Sequence, residues 1–263
     1  QVKSIEEIGE KGIGFKSVFS VAKRVEIFSG GFNFALSDKE PTVPEVLNGT
    51  QTIDNGTFMR FKMKSELRPD FFTEGKILQL CLCLRKLQNI RLDKFNVSIK
   101  DEDQIRKITI NGKCYEYKII VYCFSINDTA VVEEREKHQR HIGKEQKVVC
   151  YVPLNRTQKD FYLYSGLPTL LKAKIPLVID APFELTTSRD NIINNKWNSY
   201  VKEEVYNALI HTIENLKSEN GISVLRFLRF RQEGSLHIPD LFEDSALNKS
   251  NLLSKLKPIA FLS

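Results

Sequence analysis

Three strand-like segments in the middle of the chain constrain the fold most strongly. They read KFNVSIK, IRKITI and YEYKIIVYCFSI, and polar turns separate them. Each is rich in β-branched and aromatic residues, which are typical of strands. The later segments VVCYVPL and IPLVIDAPFEL also have the composition of buried strands. These five segments predict a sheet in the second region of the chain.

A long helical pattern follows the strands. The segment KWNSYVKEEVYNALIHTIENLK predicts an amphipathic helix, in which Trp197 anchors the core and the Trp197-Asn198 pair fixes how the helix docks. The segment AVVEEREKHQRHIGKEQK is either a charge-rich connector or an exposed helix. Sheet and helix together predict an α+β fold with a mixed β-sheet and a long helix.

The first part of the chain predicts a smaller set of elements. Residues 16–23 have the pattern of a short helix, VEIFSGGFNFAL that of a hairpin turning at Gly30-Gly31, and TFMRFKMK that of an alternating strand. A loop rich in turn signals lies between hairpin and strand. Further on, EGKILQLCLCLRKLQ repeats its apolar residues at helical spacing and predicts a helix that bridges to the second region.

Composition excludes several classes. The chain has 263 residues, of which 41% are hydrophobic and 27% charged, as in ordinary globular proteins. It contains no apolar run of about 18 residues and no signal-peptide pattern. We therefore expect a cytoplasmic or nuclear protein without membrane contact. The five cysteines show no zinc-site spacing, and we expect reduced core residues and no metal site.

The net charge of +6 permits contact with nucleic acid but does not favour it. Basic and acidic residues alternate throughout the chain. The densest basic cluster, LRFLRFR, has the spacing of an amphipathic helix, and we interpret it as a solvated helix face.

A glycine-rich stretch, IGEKGIGFKSVFSV, precedes the first hairpin. Glycines allow backbone N–H groups to approach phosphate oxygens, and a helix that follows presents its positive end to the same anion. The spacing matches neither GxxxxGK[ST] nor GxGxxG. By itself the spacing favours a structural tight turn over an anion-binding loop.

The longer string IGEKGIGFKSVFSVAKRVEIFSGGF resembles the second glycine box of the GHKL ATPases, the Bergerat-fold superfamily that includes the ninety-kilodalton heat-shock chaperone, MutL, type II topoisomerases and histidine kinases. The resemblance implies ATP as the ligand, with Gly9 as the hinge of the ATP lid. Lys11 and Lys16 either add positive charge at the phosphates or are exposed structural lysines. The residues implied to contact phosphate are Gly12, Ile13, Gly14 and Phe15.

A second similarity lies downstream. NGTFMRFKMK is similar to the strand after a Gly-Thr pair in the chaperone's nucleotide domain, where the threonine helps to fix adenine through water. The resemblance gives Thr57 this role, which suits a hydroxyl that both donates and accepts. The alternative is a structural threonine at the start of a strand.

A third similarity covers GLPTLLKAKIPLVIDAPFELTTSRDNIINNKWNSYVKEEV, which resembles a segment of NO VEIN-type and sacsin-type proteins. In the related chaperone, a similar Ser-Arg-Glu turn delivers an arginine to the γ-phosphate. The resemblance makes Arg189 of Ser188-Arg189-Asp190 a catalytic residue, and a guanidinium suits phosphate contact. The alternative is an arginine that bonds helix or loop carbonyls beside Asp180 or Asp190.

In this family, three further motifs precede the glycine box: a glutamate that activates water, an asparagine that holds Mg²⁺ and a DxGxG loop. We expect ATP and Mg²⁺ to bind tightly only when the remainder of that N-terminal domain is present. We therefore expect this chain alone to be inactive. The alternative is a non-catalytic interaction module that binds a protein client or partner. The expected organisation is a C-terminal part of a GHKL ATP-binding domain, a linking helix, a middle-type α/β domain and a helical tail: residues 1–66, 67–93, 94–217 and 218–263.

Overall fold

A computed structural model describes most of the chain between Lys16 and His237. Its contacts divide the chain into two units, of which the first ends at Thr73 and the second contains the residues from Glu74 onwards. The described residues are 16–48, 57–65, 72–84, 86–92, 94–137, 145–155, 161–186, 188–217, 229–230 and 236–237.

The first unit contains a four-stranded antiparallel sheet with the strand order β3-β2-β1-β4. The predicted hairpin is confirmed, and Gly30 and Gly31 turn it with φ values of 53° and 84° that favour glycine. The helix predicted over residues 16–23 is a shorter 3-10 helix. The elements are that helix, Lys16–Ser20, and the strands β1 (Ala22–Ser29), β2 (Phe32–Ser37), β3 (Glu45–Val46) and β4 (Thr57–Met63).

The first sheet has one apolar face that is only partly covered. Val25 and Ile27 of β1 are buried with Phe19 of the 3-10 helix in a small core. Phe61 and Met59 of β4 lie opposite Val25 and Ile27 in the strand register and share their face. They remain 44% and 42% exposed. The predicted strand is confirmed, and its apolar and basic side chains alternate between the two faces, although both faces are largely exposed.

The second unit contains an eight-stranded sheet with the order β11-β10-β12-β9-β8-β7-β6-β5. Strands β10 and β12 are parallel and the other neighbours are antiparallel, so the sheet is mixed, as predicted. The strands are β5 (Asn89–Leu92), β6 (Phe95–Glu102), β7 (Ile105–Ile110), β8 (Lys113–Ser125), β9 (Glu145–Pro153), β10 (Tyr162–Ser165), β11 (Leu167–Lys172) and β12 (Val178–Asp180).

Helices cover both faces of this sheet. The long helix α3 (Lys196–Lys217) matches its prediction and packs on β8 and β9, where Ile120 and Phe124 enter the main core. On the opposite face, α1 (Glu74–Cys83) packs on β7 and β11, and the Tyr164 hydroxyl donates to the Gln79 carbonyl at 2.7 Å. The fold is therefore α+β. Among the described residues, no helix has the length and apolar character needed to cross a membrane.

Several sequence predictions differ from the structure. The hairpin β10–β11 was not predicted, and only Val178–Asp180 of IPLVIDAPFEL is a strand. The predicted linking helix α1 lies within the second unit, because it buries its apolar side chains against that unit's sheet. Cys114 and Cys123, which lie near the two ends of β8, are exposed rather than buried.

The described part of the predicted helical tail is not helical. It forms a two-stranded ladder of β13 (Arg229–Phe230) and β14 (Leu236–His237). The cluster LRFLRFR therefore is not a helix face at Arg229 and Phe230. Alternating arginine and aromatic residues fit a strand as well as a helix, and cross-strand pairing decides between them. The helix predicted from Asn248 onwards lies outside the described residues.

Candidate functional site

Most residues of the predicted phosphate loop lie outside the described residues. Lys16, the last residue of the predicted loop, lies within the described part, where its backbone begins the 3-10 helix. Its role at a phosphate stays a prediction. The residues outside the described part are Gly9, Gly12, Ile13, Gly14 and Phe15.

Thr57, the predicted adenine contact, begins β4 and pairs with Ser29 at the end of β1. The hydroxyl oxygens of Thr57 and Ser29 are 2.8 Å apart and form a hydrogen bond. By strand alternation, both hydroxyls lie on the face of Ile27 and Met59. A polar pair therefore borders a partly exposed apolar surface, an arrangement that suits a flat ligand with a polar edge. Sequence reasoning missed Ser29, whose only local signal is its place before the Gly30-Gly31 turn.

Arg189, the predicted catalytic residue, holds the turn between β10 and β11. Its Nη2 donates to the carbonyls of Ser165 at 3.0 Å and Leu167 at 2.9 Å, and its Nε donates to Pro168 at 3.4 Å. The residue has a φ of 59°, a left-handed conformation that is uncommon for a side chain other than glycine or asparagine. Burial lowers the pKa of the guanidinium, and the nearby Asp180 opposes this shift.

The Asp180 carboxylate holds the same turn from the other side. It is buried, and its Oδ1 accepts a hydrogen bond from the Gly166 backbone N–H at 2.8 Å. The carboxylate of Asp180 thus accepts from a backbone N–H of the hairpin turn, and the guanidinium of Arg189 donates to its carbonyls. These are the carbonyl contacts of the structural alternative for Arg189, while its contact with a phosphate stays a prediction.

The residues on either side of Arg189 close their own turn. Oδ1 of Asp190 accepts hydrogen bonds from the hydroxyls of Ser188 at 2.6 Å and Thr186 at 2.7 Å. These bonds, that from Ser188 foremost, lower the pKa of Asp190. The backbone N–H of Arg189 donates to the Thr186 carbonyl at 3.0 Å. The turn is therefore preorganised by Ser188 and Asp190, and it directs Arg189 towards the hairpin.

A buried ion pair that sequence reasoning missed lies beside this segment. Arg135 of α2 (Thr129–Lys137) donates to Glu184, and both side chains are buried. Glu184 also accepts a hydrogen bond from Asn195 at 2.7 Å, and the Arg135 guanidinium lies 4.3 Å from the centre of the Trp197 ring. The prediction that α2 is an exposed helix is wrong at Arg135. Its partners are distant in sequence, so no local pattern indicates the pair.

The Trp197-Asn198 pair anchors α3, as predicted. The Trp197 indole N–H donates to the Pro182 carbonyl at 2.7 Å. The buried amide of Asn198 accepts from the Glu184 N–H at 2.8 Å and donates to the carbonyls of Glu184 and Ile193 at 2.8 and 2.7 Å. These bonds satisfy the backbone of an irregular buried segment, which would otherwise cost stability.

A charged cluster covers the other face of the first sheet. Glu26 lies between Arg24, Arg60 and Lys62, with N–O distances of 3.4, 3.2 and 3.1 Å. The hydrogen bond from Lys62 contributes most to lowering the pKa of Glu26. Arg60 also lies 5.8 Å from the centre of the Phe58 ring. The cluster is therefore rich in cations but already contains a central carboxylate.

The described residues contain no group of three or more histidine, cysteine, aspartate or glutamate side chains placed to hold a metal ion. Comparison with models of known protein families finds no match to the chain. Comparison with curated proteins finds no match either.

Proposed function

We propose that this chain contributes one part of a GHKL-type ATP site, in a protein similar to the sacsin-like and NO VEIN-like ATPases with chaperone-like activity. The observation that carries the proposal is the position of Thr57. Its hydroxyl and that of Ser29 border the partly exposed face of Met59 and Phe61, downstream of the glycine stretch. An apolar surface with a few polar groups at its edge is typical of a nucleotide-base site.

In this proposal, the first sheet belongs to a Bergerat-type domain and the second unit to a middle-type domain. The exposed apolar face supports this assignment, because a complete domain would cover it. ATP supplies the phosphoryl group when bound. Thr57 would orient the base, and the glycine stretch would hold the phosphates through its backbone N–H groups. The part proposed for this chain is nucleotide contact, because in this family the motifs that activate water and hold magnesium precede the glycine box.

The second candidate function is a non-catalytic interaction module. The contacts of Arg189 favour it, since a guanidinium that bonds three hairpin carbonyls is not free to contact a phosphate. In that case the second unit would be a protein-binding domain derived from an ATPase.

Titration of the ¹⁵N-labelled chain with MgATP tests the first proposal. We expect millimolar affinity, with the amide shifts of Thr57 and its neighbours changing most. Thr57→Val keeps the shape and removes the hydroxyl, so it should weaken binding by about tenfold, the effect of one lost hydrogen bond. Thr109→Val on β7 is the matched control and should leave binding unchanged. Absence of shifts at saturating nucleotide, or equal binding by Thr57→Val, would overturn the proposal.

A further inference from the structure

The outer edge of β4 is unpaired among the described strands. β4 pairs with β1 on one side, and no described strand lies on its other side. It has 7 residues, whereas β3 at the opposite edge has 2. An edge strand presents a row of backbone N–H and C=O groups that can pair with another chain. β4 is therefore the longer template for strand addition on this sheet.

The side chains of β4 divide into two chemically distinct rows. Arg60 and Lys62 point to one face, with 53% and 59% of their side chains exposed. Met59 and Phe61 point to the other face and are 42% and 44% exposed. The strand has no acidic residue, and Lys64, which follows it, pairs with Asp38 at 3.2 Å.

We propose that β4 binds an extended segment of another polypeptide by strand addition, and that this segment alternates apolar and acidic residues. Its carboxylates pair with Arg60 and Lys62, two cations that share the single carboxylate of Glu26 at 3.2 and 3.1 Å, and its apolar side chains extend the surface of Met59 and Phe61. Main-chain hydrogen bonds supply affinity in this mode, and alternate side chains supply specificity. The inference goes beyond nucleotide binding and does not depend on it.

The charges on β4 argue against a second copy of this chain as the partner. Antiparallel pairing of two β4 strands places Arg60 and Lys62 of one copy opposite or diagonal to cations of the other, which is destabilising. A nucleic-acid partner fits less well too. Phe28 is buried, so among the described residues of this face Phe58 alone offers an exposed ring for base stacking.

The test uses a fluorescent synthetic peptide of alternating valine and glutamate, whose anisotropy reports binding to the whole chain. Two further peptides serve as controls: one replaces every glutamate by lysine, and the other keeps the sequence but carries an N-methyl group on every backbone nitrogen, so that neither of its edges can donate to β4. We expect each control to bind at least about tenfold more weakly. Equal binding by the N-methylated peptide would overturn the proposal, because it would show charge attraction without strand pairing.

Variants of the chain locate the binding edge. Arg60→Gln with Lys62→Gln should weaken binding of the glutamate peptide by about tenfold. Lys107→Gln on β7 is the matched control, since Lys107 is an exposed strand lysine paired with Glu102 at 3.3 Å. If the double variant unfolds, the peptide series on the unchanged chain decides the question. Dimerisation of the chain through β4, or displacement of the peptide by oligothymidylate, would overturn the proposal in favour of those partners.

Discussion

The two units bury their sheets to very different extents. In the second unit, α1 covers one face and α3 the other, and residues from β8, β9 and α3 meet in one large core. In the first unit, a 3-10 helix of 5 residues is the only described element outside the sheet, and its core contains 4 buried side chains. Of the 10 large hydrophobic side chains exposed among the described residues, 7 lie in the first unit.

The difference indicates what each unit needs in order to be stable. Burial of apolar surface is the main favourable term in folding, and the second unit obtains it from its own helices. The first unit leaves Met59 and Phe61 partly in water, so its stability depends more on whatever covers that face. The stability of the second unit should consequently respond most to core substitutions, and that of the first unit to ligands or partners that cover its exposed face.

The largest expected contrast compares Trp197→Ala with Phe61→Ala. Trp197 is 1% exposed and donates to the Pro182 carbonyl, so its removal should lower the free energy of unfolding by about 3–5 kcal/mol. Phe61 is 44% exposed, so Phe61→Ala should lower the free energy of unfolding by about 1 kcal/mol. Denaturant unfolding followed by far-ultraviolet circular dichroism measures both. Equal losses would contradict the contrast between the units, and Trp197→Phe is the control that keeps an aromatic ring.

The next contrast is the response to alkaline pH. Burial raises the pKa of Tyr117 and Tyr164 above the ordinary value, and all tyrosines of the chain lie in the second unit. Tyrosines of the unfolded chain ionise near pH 10, whereas these two stay neutral when folded. The stabilisation that these two neutral tyrosines give the folded state is therefore complete below about pH 10. By pH 11 the free energy of unfolding falls by about 3 kcal/mol for the two together.

Two natural probes separate the units in this experiment. The emission maximum of Trp197 reports the second unit, and the methyl signals of Met59 and Met63 report the first. The Trp197 signal should change at lower pH than the methionine signals. Tyr117→Phe should raise the pH of the transition, and a transition that begins in the methionine signals would contradict the assignment.

The smallest expected effect concerns the hairpin held by Arg189. Arg189→Ala removes three hydrogen bonds to carbonyls and should destabilise the second unit by about 2 kcal/mol. Hydrogen exchange should accelerate at Gly166 and Leu170 but not in β6 or β7. Arg189→Lys is the control, because one ammonium cannot reach the same carbonyls in a planar arrangement. Unchanged exchange would remove the structural role and leave the phosphate role as the better explanation.

Local patterns predicted the elements that depend on nearby residues. The hairpin at Gly30-Gly31 follows from two glycines between alternating strands, and α3 follows from an apolar stripe at helical spacing. The hairpin β10–β11 was missed because Pro168 and a short, mixed segment give no clear period. Its Gly166 turn is held by Asp180 and Arg189, which lie outside the hairpin itself.

The candidate site divides in the same way. The sequence by itself determined the α+β class, the long helix and the resemblance that selects Thr57 and Arg189 as functional candidates. Tertiary structure alone decided that Arg189 contacts carbonyls 21 to 24 residues away and that Arg135 pairs with Glu184 at a separation of 49 residues. Periodicity reports how one element is exposed, whereas a buried charge is stabilised by whichever partners the whole fold brings to it.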